Sequence, residues 1–165
     1  MSQSCIVADA SPLIGLARIG RLELLRSLFD ATILPPTVYA ECVRAPDKPG
    51  ATAIAKAVDD GWLVVRELSK PVVSGLSIGL GRGESDAIAL AVELGCLILL
   101  DDKLGRGAAR AAGLSVIGTG GLLLAAKARS LVPSVSPLLD QLHAVGYHLS
   151  DELVAKILEL AGENR

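Results

Sequence analysis

Aromatic residues make up only 2% of this 165-residue chain: one Phe, one Trp and two Tyr. That scarcity argues against a base-stacking platform of the kind that grips single-stranded nucleic acid through rows of aromatic rings. There is no basic excess either. The formal net charge is −2, so the chain has no overall cationic footprint for non-specific nucleic-acid binding. Any such role must rest on local basic clusters, backbone contacts and metal. No apolar run reaches the ~18 residues of a membrane span, and the N-terminus lacks the basic and apolar regions of a secretory signal. The three cysteines are odd in number and form no C-x-x-C. They therefore suggest neither a disulfide framework nor a zinc site. Cys5, Cys42 and Cys96 all stand in apolar contexts, which reads as buried free thiols and a cytoplasmic location.

What the chain does have is apolar residue and regular alternation. It is 51% hydrophobic and 21% charged, a globular composition for one domain. Short apolar runs at 5–8, 31–34, 62–66, 97–100 and 114–117 read as strands. The 3.6-residue pattern predicts helices at 11–17, 21–28, 36–43, 51–59, 83–94, 103–112, 119–129, 137–145 and 151–160. Ser11-Pro12 reads as a cap and first turn, Asp47 to Gly50 as a loop, and Gly95 as a helix stop. Residues 67–80 read as irregular, punctuated by Pro71 and Gly75. Strand and helix alternate, so the expected class is α/β, a doubly wound sheet of about five parallel strands.

Four acids are placed for chemistry. Asp9 ends Cys5-Ile6-Val7-Ala8, and Asp102 follows Leu97-Ile98-Leu99-Leu100-Asp101. Glu41 and Glu84 lie on helices. Open α/β sheets bind ligands outside the carboxyl ends of their strands. Carboxylates gathered there form a hard oxygen site suited to Mg²⁺ or Mn²⁺ and to phosphoryl chemistry. Gly83, next to Glu84, would let metal and phosphate approach closely. Each acid also has a plainer reading. Asp9 is a helix cap, unless Ser11 does that work. Glu41 is a solvated helix residue. Glu84 and Asp86 are first-turn acids that favour the helix dipole. One of Asp101 and Asp102 serves a turn.

Gly79-Leu80-Gly81-Arg82-Gly83-Glu84 resembles a dinucleotide-binding loop, but Glu84 stands where the third glycine belongs and no good strand precedes it. A carboxylate there would repel a pyrophosphate. Thr119 is a helix cap or a site hydroxyl, the cap being the better reading. Lys103, Arg106 and Arg110 form one helical stripe beside Asp102, either a solvated face or a track for phosphates. His143 and His148 lack metal-spaced partners and read as structural or surface residues.

The order of these motifs resembles the PIN-domain nucleases (the PilT N-terminus family), especially the VapC-like toxins. The most specific stretch is Gly83-Glu84-Ser85-Asp86-Ala87-Ile88-Ala89-Leu90-Ala91 followed by Leu97-Ile98-Leu99-Leu100-Asp101-Asp102, and the resemblance covers about residues 5–130. It departs at the third acid, usually Asp in the toxins, here Glu84 with Asp86 two residues on. The resemblance implies a three-layer α/β/α sandwich around a five-stranded parallel sheet. The PIN-like domain would span 1–132, with a C-terminal helical extension at 133–165 packed on it. It implies Mg²⁺- or Mn²⁺-dependent endonucleolytic cleavage of RNA, with Asp9, Glu41, Glu84 and Asp102 as catalytic metal ligands and Asp86 and Asp101 as further candidates. Ser11, Thr119, Lys103 and Arg106 are expected to support the site or contact RNA. A homodimer and a small antitoxin partner are also implied. An inert PIN-like module acting through protein contacts is the competing reading.

Overall fold

The computed structural model describes residues 5–70 and 79–164, so Pro71 and Gly75 lie outside the described residues. Five strands form one all-parallel sheet in the order β3-β2-β1-β4-β5: β1 (Cys5–Ala8), β2 (Ala31–Leu34), β3 (Leu63–Val65), β4 (Leu97–Leu99) and β5 (Val116–Ile117). Ile6, Val7, Ala8, Ile98 and Leu99 are wholly buried. Central strands covered on both faces need such unbroken apolar runs. The α/β/α sandwich implied by the motif order is the fold observed.

Helices α1 (Ala10–Arg18), α3 (Pro36–Val43), α4 (Pro49–Asp59) and α5 (Arg82–Leu94) pack against one another, and α6 (Lys103–Ala111) joins α5. A second group joins α2 (Glu23–Leu28), α7 (Thr119–Ala128) and α9 (Asp151–Ala161), while α8 (Ser136–Ala144) touches α1. Leu138, Leu139, Leu142, Ile157 and Leu158 put α8 and α9 into the same hydrophobic core as the sheet.

Local signals account for most boundaries. Pro36 and Pro49 occupy first-turn positions of α3 and α4, where a missing N–H costs nothing. This is why α4 starts inside the stretch expected to be a loop. Gly95 ends α5 in the left-handed region, at φ 66°. Ser11 is not a cap. The Asp9 N–H still bonds to Leu99 O at 3.1 Å, so the ladder holds the chain extended through Asp9, and the helix begins at Ala10.

The cysteine reading is corrected for two of the three residues. Ile6 pairs with Leu97, which sets Cys5, the first residue of β1, beside Cys96, the residue before β4. Their Cα atoms are 5.3 Å apart, within disulfide reach, and the two sulfurs are bonded. Cys42 alone is a free, buried thiol.

Candidate active site

The sheet order reverses at β1. Its chain neighbour β2 lies on one side and β4 on the other, so the switch-point crevice opens at the carboxyl ends of β1 and β4. Asp9 emerges from the first strand and Asp102 from just beyond the second. Helices α3 and α5 pack together and bring Glu41 and Glu84 to the same place.

Asp9 is only 6% exposed, and its carboxylate makes no capping bond. Burial pushes its pKa up to about 6. The Ala10 N–H opposes that rise, and Glu41, Asp102 and Asp101 add to it. Glu84 is half-buried in the first turn of α5. Its carboxyl is pushed up to about 7 by burial and then by Asp9, Asp102 and Glu41. Asp9 and Glu84 thus titrate in the field of neighbouring acids. Two glycines make room for this crowding. A Cβ at Gly83 would run into the Glu41 carboxylate, and one at Gly105 would lie 3.1 Å from Glu84 Oε2. The space beside Gly83, expected to admit metal and phosphate, is thus filled by Glu41. Burial, Glu41 and Asp9 also push the Cys42 thiol up to about 12, which keeps it unreactive.

Asp102 takes the structural reading offered for the acid pair. It is exposed, and its Oδ2 accepts from the Gly105 N–H at 2.8 Å, capping α6. Asp101 is taken up by structure. It accepts from the Thr119 N–H at 2.8 Å, from Thr119 Oγ1 at 2.5 Å and from the Tyr147 hydroxyl. These donors engage both of its oxygens. Thr119 is neither a cap nor a site hydroxyl: α7 is capped in position by Gly118, and the wholly buried Thr119 hydroxyl serves Asp101. Asp86 accepts from Thr37 Oγ1 at 2.7 Å.

The basic stripe on α6 does not run free. The Arg106 guanidinium turns back toward Leu100 O, at 3.5 Å, and fills the space a Cβ on Gly118 would need. Lys103 and Arg110 are exposed. Ser11 is exposed and lines a cavity of about 420 Å³ with Asp101, Asp102, Tyr147 and His148. Tyr147 escaped the sequence reading because it lies 46 residues from the aspartate it meets, in the connection between α8 and α9. Burial and Asp101 raise its hydroxyl pKa, so it stays a donor. A lone tyrosine in a loop carries no spacing signal.

Four carboxylates are a hard, oxygen-only donor set of the kind Mg²⁺ and Mn²⁺ prefer. Their mutual repulsion is the electrostatic condition that a cation relieves. Among the described residues, no three His, Cys, Asp or Glu side chains already converge tightly enough to hold an ion. The donors match in chemistry, and closing on a cation requires the carboxylates to draw together.

A family model described as DUF3368, a PIN domain, matches residues 5–163. The chain belongs to the PIN-domain family. The match runs through α8 and α9 and so takes in Tyr147. The fold also matches a solved PilT N-terminus domain protein of the hyperthermophilic archaeon Sulfolobus solfataricus. The TM-score is 0.51 and the identity 23%, over 73% of this chain and 92% of that one. No curated protein matches. The PIN domain is a nuclease-type fold. Among the described residues, no helix is long and apolar enough to cross a membrane.

Proposed function

We propose that this PIN domain is a metal-dependent endoribonuclease that hydrolyses RNA phosphodiester bonds and serves as the toxin of a toxin–antitoxin pair. The observation that carries the reading is the convergence of Asp9, Glu41, Glu84 and Asp102 at the switch point, with Asp9 and Glu84 pushed up first by burial and then by neighbouring acids of the cluster. These four residues would hold Mg²⁺ or Mn²⁺. The cation would supply Lewis-acid activation of water and neutralise charge on the phosphoryl group.

The chain's own contribution is placement. The sheet fixes Asp9, the α6 cap fixes one oxygen of Asp102, and Gly83 and Gly105 allow Glu41 and Glu84 to approach. The toxin role, the small antitoxin and the homodimer rest on the likeness of the four-acid order to VapC-like toxins. A cytoplasmic location belongs to the same reading and no longer draws on free thiols, since Cys5 and Cys96 are bonded.

The test is cleavage of end-labelled single-stranded RNA by the purified chain in Mn²⁺, in EDTA, and by Asp9→Asn. Cleavage is expected in Mn²⁺ alone and only from the wild type. Absence of cleavage with every divalent metal would return the chain to the inert-module reading. Equal cleavage by Asp9→Asn would falsify the assignment of the site.

A further inference from the structure

A second cleft, of about 190 Å³, is lined by Glu41, and its walls carry Arg18, Arg44 and Lys48. The three cations come from three segments. Arg18 is in the last turn of α1, Arg44 follows α3, and Lys48 precedes α4. In a chain of net charge −2, this convergence is a local departure from the average. Among the described residues, none of the three forms an ion pair with a carboxylate. Arg18 is oriented by donating to Val145 O at 3.2 Å, which leaves most of its guanidinium N–H groups for another acceptor.

The backbone is shaped to the same end. Gly50 is buried in the first turn of α4, and a Cβ there would lie 3.3 Å from Arg18 Cγ and 3.5 Å from Ile14 O. Without one, the start of α4 seats directly against the Arg18 stem. No side chain caps α4. Its positive end therefore adds to the field of the three cations.

We propose that this cleft binds consecutive backbone phosphates of single-stranded RNA adjacent to the phosphodiester held at the acids. The identity of the ligand rests on the ribonuclease reading; the anion site itself does not. Glu41 lines the cleft and also belongs to the acid cluster. A strand engaged at the cluster therefore passes its next phosphates beside Arg18, Arg44 and Lys48. Guanidinium forks match phosphate oxygens in geometry, and such pairings fix the register of a strand without reading its bases. The acids repel RNA until metal is bound, so the chain needs a cationic foothold outside the cluster to hold substrate.

The experiment measures binding of a fluorescein-labelled twelve-nucleotide oligouridylate in EDTA, where cleavage cannot occur. The wild type, Arg44→Gln/Lys48→Gln and the remote control Lys156→Gln are compared across salt concentrations. The double variant should bind on the order of tenfold more weakly at low salt. Its log–log salt slope should shrink by about 1.4, ~0.7 for each phosphate that the variant leaves unneutralised. The control should match the wild type. No measurable binding by the wild type, or equal affinity and slope in all three proteins, overturns the proposal. Polyglutamate that binds with the same sensitivity to the double variant, while the oligonucleotide does not, assigns the cleft to an acidic protein segment and also overturns it. The two readings fail separately. A drop in binding without any Mn²⁺-dependent cleavage removes the nuclease and keeps the anion site. Cleavage with unaltered binding does the reverse.

Discussion

At the scale of single residues, crowding four carboxylates has a cost that pH can reveal. The Asp9 pKa rises from the usual 3.8 to about 6 on folding. The folded state therefore binds the proton more tightly than the unfolded chain. Stability falls as pH rises through this window, and the full penalty, on the order of 3 kcal/mol for a group so deeply buried, stands above pH ~6. Metal-free wild type should thus melt at a higher temperature at pH 5 than at pH 7.5. Asp9→Asn should lose much of that difference and be the more stable protein at pH 7.5. Thermal scans in EDTA at several pH values check this, and an unchanged slope in the variant would remove Asp9 as its source. Glu84 and Asp86 are two residues apart but face different partners, the acid cluster and the Thr37 hydroxyl. Glu84→Gln should severely weaken the Mn²⁺-induced rise in melting temperature and RNA cleavage, and Asp86→Asn should weaken them mildly. The reverse order would make Asp86 the site acid.

At the scale of elements, the closeness of α3 and α5 depends on a missing methyl group. Gly83→Ala puts a Cβ into the Glu41 carboxylate. Alanine also favours a helix over glycine by up to about 1 kcal/mol, so the fold should keep its stability. Displacing one carboxylate should still lower Mn²⁺-dependent cleavage on the order of tenfold to a hundredfold. Melting and cleavage measured on the same preparation separate these effects. The C-terminal helices are tied down by a remote acid. Val135 at the cap position of α8 cannot cap a helix, and Glu163 instead accepts from the Val135 and Ser136 N–H groups and pairs with Lys127 at 2.9 Å. Those donors lower its pKa to about 2. Its contribution is present above the ordinary glutamate pKa and is lost as pH falls toward 2. Glu163→Ala should cost about 1 kcal/mol at neutral pH, read from chemical denaturation.

At the scale of the whole molecule, the Cys5–Cys96 bond closes a separation of 91 residues at the end of the sheet opposite the acids. Closing so long a loop restricts the unfolded chain. Reduction, or Cys5→Ser, should lower stability on the order of 3–4 kcal/mol. Cleavage by the folded protein should be unchanged, because the acids leave the other ends of β1 and β4. Denaturation with and without reductant, beside an activity assay below the melting range, tests both halves. Apolar surface bears on assembly as well. Among the described residues, the exposed large hydrophobics are Val64, Val92, Leu104, Leu131, Leu153 and Leu160. None lies on α1 to α4. Those helices spend their apolar residues on the core instead.

The sequence by itself determined the class of fold. Unbroken apolar strands, helices of regular period, and Pro and Gly at their ends are local signals, and local physics set them. It also marked Asp9 and Asp102, because a carboxylate closing a buried strand stands out in one dimension. Tertiary structure decided the hydrogen-bond partners of the second acid of each pair, Asp101 being claimed by Thr119 and Tyr147 and Asp86 by Thr37. It decided the partner of Cys5, because strand order is not written at either cysteine. It gave Gly83, Gly105 and Tyr147 their duties and turned Arg106 back onto the sheet. Each of these depends on what lies across a gap from the residue, and contacts between distant segments exist only once the core has closed.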